Sequence, residues 1–181
     1  LPDLHANIRS QFKFILKTDV SRFYHSIYTH SIAWACHTKE IAKSNHRNTL
    51  YGNLLDKVCR DAQDQQTIGL PIGPDSSLVI AELILSNIDR QLQLRGIKNG
   101  FRYIDDYYLG FNSLSEAEGA IAVLQEQLTQ YELALNPLKT EIISLPLSFE
   151  DLLISEIRTF VLRNDLDAQR SDIIFYFNKV F

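Results

Sequence analysis

The chain has 181 residues, 45% of them hydrophobic and 22% charged, which is globular composition with enough material for a core and close to one domain. Its net charge of −4 and pI of about 5.7 exclude the overall basic balance of a simple nucleic-acid-binding module, so any grip on nucleic acid needs a local basic surface or parts outside this segment. Cys36 and Cys59 stand far apart with no zinc spacing and read as reduced cytoplasmic thiols; no apolar run reaches the roughly 18 residues of a membrane span, and no signal peptide opens the chain.

Phe12 to Val20 (FKFILKTDV) predicts a strand, bounded by polar Arg9-Ser10-Gln11 and by Ser21, with Asp19 near its end. Beyond Phe23 and Tyr24, the spacing of Ile32, Ala35 and Cys36 predicts a helix over His30 to Lys43. Polar Ser44 to Thr49 reads as a loop. Leu54, Leu55, Val58 and Ala62 then mark a helix over Leu50 to Gln65. Thr67 to Pro74 (TIGLPIGP) is a rigid loop, since its two glycines and two prolines fix unusual backbone angles. Asp75 or Ser76 is placed to cap the next helix, Ser77 to Leu94. The first half of that helix is apolar nearly all round, which predicts burial.

A Gly-bounded turn, Arg95 to Gly100, leads into Phe101-Arg102-Tyr103-Ile104-Asp105-Asp106-Tyr107-Tyr108-Leu109-Gly110-Phe111. Aromatic and aliphatic flanks favour strand, while Asp-Asp favours a turn, so the stretch predicts a β-hairpin with two carboxylates at its tip. Adjacent acids are unfavourable unless a cation or solvent neutralises them, which leaves a divalent metal or a solvated surface turn. Ser113 or Ser115 caps a helix over about Glu116 to Leu133, ended by Leu135-Asn136-Pro137. Lys139 to Leu145 (KTEIISL) reads as a strand and Phe149 to Arg163 as a helix. This order predicts an α+β fold, a small antiparallel sheet backed by helices. The chain has no Met, and Asp172 to Phe181 is apolar without a polar tail, so an excised piece of a longer protein is expected.

Two-metal phosphoryl chemistry needs carboxylates from separate strands meeting at one place. Asp19 at a strand end and Asp105-Asp106 at a hairpin tip supply them if their strands are neighbours. Four stretches together resemble the palm of a reverse transcriptase. Asp19-Val20-Ser21-Arg22-Phe23-Tyr24 is similar to the family's first palm motif, an Asp followed five positions later by an aromatic. Leu70-Pro71-Ile72-Gly73-Pro74-Asp75-Ser76-Ser77 resembles the second, a Pro-x-Gly loop and helix beneath the templating base. Tyr103-Ile104-Asp105-Asp106 matches the metal-binding Tyr-x-Asp-Asp hairpin, and Leu135-Asn136-Pro137-Leu138-Lys139-Thr140 resembles the fourth motif with its Lys. The motifs stand in the family's order. PIGPDSS followed by AELIL, with SRFYHSIYTHSIAWA before it, looks like the bacterial abortive-infection and defence-associated reverse transcriptases, the unknown group. Most relatives carry Gln where this chain has Ile72, which weakens the inference to ordinary template-directed copying.

The resemblance implies a ferredoxin-like βαββαβ palm. It implies two Mg²⁺ ions, with Mn²⁺ as a substitute, on Asp19, the Val20 carbonyl, Asp105 and Asp106. Lys139 would stabilise or protonate the leaving pyrophosphate. Tyr24 would be the sugar gate, its ring excluding a 2′-hydroxyl. Val20, Arg22, Phe23, Pro71, Ile72 and Gly73 would complete the substrate site. Each role has a plainer counterpart: a helix cap for Asp19, a core aromatic for Tyr24, a helix-entry turn for the Pro-Ile-Gly loop, a solvated charge for Lys139 and Arg22. Arg90, Arg95, Lys98 and Arg102 read either as a phosphate-touching cluster or as a charged helix end. The five histidines are assigned no chemistry.

Residues 12–146 are thus expected to form the palm, 1–11 a remnant of the fingers side, and 147–181 the start of a helical, thumb-side region. The implied partners are deoxynucleoside triphosphates, an RNA template, a nucleic-acid or protein primer, and a second copy or a defence-system component, in the cytoplasm and with no membrane. The expected reaction is two-metal nucleotidyl transfer to a 3′ or priming hydroxyl in antiphage defence, with the isolated fragment inactive. Two rivals remain open: a template-independent DNA polymerase with the same site, and a non-catalytic palm used for oligomerisation or sensing. A nucleotide cyclase shares the palm architecture but fits the second-motif loop less well.

Overall fold

The computed structural model describes residues 2–45, 49–146 and 152–180. The chain divides into two compact units, Leu1–Leu145 and Pro146–Phe181. The first holds helix α1 (Pro2–Gln11), strand β1 (Phe14–Asp19), helices α2 (Phe23–Ser26), α3 (His30–His37), α4 (Lys39–Ser44), α5 (Tyr51–Asp61) and α6 (Asp75–Leu94), strands β2 (Gly100–Tyr103) and β3 (Asp106–Phe111), helix α7 (Leu114–Gln130) and strand β4 (Glu141–Ser144). The second holds α8 (Leu152–Thr159) and α9 (Leu166–Val180). Among the described residues no helix is long and apolar enough to cross a membrane.

The four strands form one antiparallel sheet in the order β2-β3-β1-β4. With α6 between β1 and β2 and α7 between β3 and β4, this is the βαββαβ arrangement of the expected α+β fold. Alternation along the strands divides the sheet into two faces. Leu16, Tyr107 and Leu109 pack with Ile84, Leu85 and Ile88 of α6 and with Leu124 and Leu128 of α7 in one core. Each such side chain contributes roughly 1.5–3 kcal/mol by leaving water. Asp19 and Lys17 of β1 and Asp106 and Tyr108 of β3 fall on the other face. α1 covers part of that face, with the His5 ring edge-on to Phe101 and Tyr108 at 4.9 and 4.5 Å between centroids.

Several boundaries differ from the sequence expectations. The helix over His30 to Lys43 is two helices, because Thr38 stands at φ 101° and caps α4 by accepting the Ile41 N–H on its hydroxyl. α5 stops at Asp61 rather than Gln65, since Asp64 and Gln65 take left-handed backbone. Neither Asp75 nor Ser76 caps α6, which starts at Asp75 after Pro74. Its first half is not wholly buried either: Val79 is 68% exposed. α7 starts two residues early on a capping box between Ser113 and Glu116, and ends at Gln130, before Glu132 at φ 62°. The expected strands shrink to Phe14–Asp19 and Glu141–Ser144. In the second unit, the first residues of the helix expected over Phe149 to Arg163 lie outside those described, and α8 ends at Thr159. Arg163 lies past its end and binds Asp172 of α9 instead. Of the loop expected over Ser44 to Thr49, residues 46–48 lie outside those described.

Candidate active site

Asp19 ends β1, and its cross-strand partner is Asp106, the first residue of β3. Directly opposed residues of an antiparallel pair present their side chains on one face. The two central strands therefore bring together acids that lie 87 positions apart in sequence (106 − 19 = 87). Asp105 stands beside them in a two-residue turn, because Tyr103 pairs with Asp106 and only Ile104 and Asp105 intervene. Ile104 has φ 56°, the sign a type II′ turn needs at its first central residue. A β-branched residue pays roughly 1–3 kcal/mol for such backbone. Burial pushes the Asp105 carboxyl above its ordinary value; the charges of Asp106 and Asp19 push the same way, against a backbone hydrogen bond and Lys139. Asp105 thus lies within electrostatic reach of both Asp19 and Asp106.

The segment after α7 runs alongside the end of β1. Ser21 donates its N–H to Ala134, Asn136 donates to the carbonyl of Asp19, and Val20 bridges to Leu135. This carries Lys139 back to the acids, where its ammonium lies 2.6 Å from Asp19 Oδ2. That hydrogen bond, with the charge of Asp19 and then of Asp106 and Asp105, raises the Lys139 pKa. Asp19 is 6% exposed, and its second oxygen, Oδ1, is buried without a hydrogen-bond partner.

Among the described residues no group of three or more His, Cys, Asp or Glu side chains is gathered as a metal cage. Mg²⁺ does not require one, since it is usually held by one or two carboxylates plus substrate phosphates. An unbonded, buried carboxylate oxygen beside two further acids suits a hard cation.

The residues of the first motif separate. Val20 and Phe23 are buried in the core, so any contact of Phe23 with substrate passes through its backbone. The Phe23 ring tilts against Tyr24 at 5.3 Å. Tyr24 is half-buried; desolvation raises its phenol pKa, and the charges of Asp105 and Glu82 add to the shift, which places the ring near the acids. Arg22 is exposed, in left-handed backbone at φ 46°, and forms no ion pair among the described residues. The second-motif loop is pinned alongside: Leu70 donates its N–H to Tyr24 at 2.8 Å and Gly69 to Ile27 at 2.8 Å. Pro71, Ile72 and Gly73 are exposed at its end, with Gly73 at φ 119° and open space where a side chain would stand.

Two members of the suggested basic cluster are already paired with acids. Arg95 makes a two-pronged pair with Glu126 of α7 at 2.6 and 2.7 Å. Arg102 turns inward onto Glu82 and Asp89 of α6. The role of these three residues escaped the sequence reading, although a signal was present. Glu82 and Asp89 stand seven apart on one face of a largely apolar helix, and acids in such a place call for a cation. His30 and His37 also prove structural, the first 2.6 Å from buried Asp56 and the second accepting the N–H of Gly52.

No curated protein matches the chain. The model of the family described as "Reverse transcriptase (RNA-dependent DNA polymerase)" matches residues 3–167, a span that includes the whole sheet, its acids and Lys139. The chain belongs to the reverse transcriptase (RNA-dependent DNA polymerase) family.

Proposed function

We propose that residues 12–146 are the palm of a polymerase that adds deoxynucleotides to a 3′ or priming hydroxyl. Family membership makes the chain a nucleotidyltransferase of the DNA-polymerase type, working on nucleotides and a nucleic-acid template. The observation that carries the finer reading is the pairing of Asp19 with Asp106, with Asp105 in the adjoining turn and one oxygen of Asp19 left unbonded. Asp19, the Val20 carbonyl, Asp105 and Asp106 would hold two Mg²⁺ ions, or Mn²⁺ in their place. Bound there, the ions would activate the attacking hydroxyl and neutralise charge on the leaving pyrophosphate.

The chain's own residues do the rest. The attacking hydroxyl loses its proton to solvent as its oxygen bonds to the α-phosphorus and the bond to pyrophosphate breaks, and the Lys139 ammonium gives pyrophosphate the proton it takes up and regains one from solvent. Tyr24, supported by Phe23, closes the space beside C2′ of the incoming sugar. Pro71, Ile72 and Gly73 floor the nascent pair, and Arg22 reaches the triphosphate. Residues 1–11 belong to the fingers side and 147–181 open the thumb side. The first- and second-motif wording supports a place among bacterial antiphage reverse transcriptases that use an RNA template and a nucleic-acid or protein primer, with a second copy or a defence component as partner.

A second reading, template-independent synthesis, is favoured by Ile72. An apolar residue, 66% exposed, occupies the loop position where most relatives carry Gln. One experiment addresses both. The full-length protein is given four labelled deoxynucleoside triphosphates and Mg²⁺, with and without template, beside Asp105→Ala. Asp105-dependent product establishes the polymerase, and its template dependence separates copying from untemplated synthesis. Absence of product from folded protein in every arm would favour a non-catalytic palm.

A further inference from the structure

Arg102 sits one residue before the Tyr-Ile-Asp-Asp turn begins, and its side chain is 9% exposed. All five of its N–H groups are engaged. Nε donates to Asp89 at 3.1 Å to Oδ2 and 3.2 Å to Oδ1. One terminal nitrogen donates to Glu82 Oε1 at 2.8 Å and to the carbonyl of Ile104 at 2.5 Å. The other donates to Glu82 Oε2 at 2.9 Å and to Asp89 Oδ2 at 2.8 Å. Tyr107, buried on the core face of β3, adds its hydroxyl to Asp89 Oδ1 at 3.1 Å. The guanidinium thus ties the helix that follows the second-motif loop to the backbone of the turn that carries Asp105.

The bonded carbonyl belongs to the one residue of that turn in left-handed backbone, Ile104 at φ 56°. A β-branched residue does not hold that conformation unaided. We propose that Arg102 is a positioning residue: anchored on Glu82 and Asp89, it captures the Ile104 carbonyl and fixes the strained turn so that Asp105 is aimed at the metal site. This rests on the palm reading above. Only arginine meets the geometry, because lysine has three donors and no planar fork for two carboxylates and a carbonyl together.

The test uses the full-length protein and its Arg102→Lys, Ile104→Gly and doubly substituted forms, with Asp105→Ala as the reference for site-specific metal. Mn²⁺ affinity is read from the electron paramagnetic resonance of the free ion, fold from circular dichroism, and kcat and nucleotide KM from incorporation. Arg102→Lys is expected to weaken Asp105-dependent Mn²⁺ binding roughly 10–100-fold. It is expected to lower kcat roughly 10²-fold with nucleotide KM little changed. Ile104→Gly in the Arg102→Lys background is expected to recover most of the lost affinity, because glycine takes positive φ without help. Unchanged Mn²⁺ affinity in folded Arg102→Lys overturns the assignment. So does a loss that Ile104→Gly leaves in place, since Arg102 then serves the fold and not the turn. Should Arg102→Lys not fold, Glu82→Gln decides: a smaller loss in the same direction supports the assignment, and wild-type affinity defeats it. Wild-type protein that binds Mn²⁺ through Asp105 but makes no product would defeat the polymerase reading alone. Wild type without such binding defeats the Arg102 assignment.

Discussion

The Lys139 ammonium lies 2.6 Å from Asp19 Oδ2, so the candidate proton donor for the leaving group rests on the acid that ends the central strand. The two residues stand 120 positions apart. They meet because Asn136 and Ala134 bond to the backbone on either side of Val20. Lys139→Ala removes both the donor and the cation nearest to Asp19. Incorporation is expected to fall roughly 10²-fold, the range of a lost general acid. In EDTA the melting temperature should also fall, and Mg²⁺ should narrow the gap by supplying another cation to Asp19. A gap that stays the same on adding Mg²⁺ would show that Lys139 and the ion do not share that carboxylate.

Asp105 is held in a place that disfavours its charge, through burial and the neighbouring Asp106 and Asp19. Asp105→Asn removes the charge while keeping the shape. The substituted protein is expected to melt higher than wild type at neutral pH in EDTA and to make no product. This is the trade between stability and activity found where function demands unfavourable placement. A lower melting temperature would mean that the carboxylate has a stabilising partner in the fold.

Tyr24 packs on Phe23 and comes within electrostatic reach of Asp105 and Glu82. Tyr24→Ala opens the space beside the acids. Ribonucleotide use relative to deoxynucleotide use is expected to rise roughly 10–100-fold, the scale of one steric contact in a pocket. Equal sugar discrimination in wild type and variant would leave Tyr24 as a packing residue only.

The docking of α1 carries a pH signature. His5 meets Phe101 and Tyr108 edge-on, and burial, Arg9 and Lys17 hold its pKa below the ordinary 6.5. The folded state therefore prefers neutral His5. Its contribution is whole above the unfolded value of 6.5 and is lost as pH falls through the lower folded value. Protection of the α1 amides, taken relative to their intrinsic exchange rate at each pH, should fall on acidification toward pH 5, and His5→Phe should weaken that dependence. An unchanged acid response in His5→Phe would point to another group.

The sheet and its acids were legible because both are periodic. FILKTD and DYYLGF alternate between faces, and Asp19 and Asp106 fall on the same one. Tyr-Ile-Asp-Asp reads as a turn because adjacent acids are poor in a strand interior, although only Ile104 and Asp105 form it and Asp106 opens β3. Thr38 was not legible: the apolar spacing runs toward the break, and only its hydroxyl hints that a new helix starts there. Val79 deceived as well, since it lies in an apolar run that predicts burial and yet is 68% exposed. The Arg102 network needed three dimensions. Its acids lie 13 and 20 residues before it, and no local pattern states which cation they will take.

The pairing of β1 with β3 also makes correct folding and correct alignment of the acids the same event. Leu16 and Asp19 lie on opposite faces of one strand, so a slip of one residue would drive Lys17 and Asp19 among the aliphatic side chains and expose Leu16. Such a register has no favourable core, and the chain would sooner remain unfolded than persist in it. A cell holding this protein therefore has little need to sort folded, misregistered copies from working ones, since the oily side of the sheet screens the acidic side on its behalf.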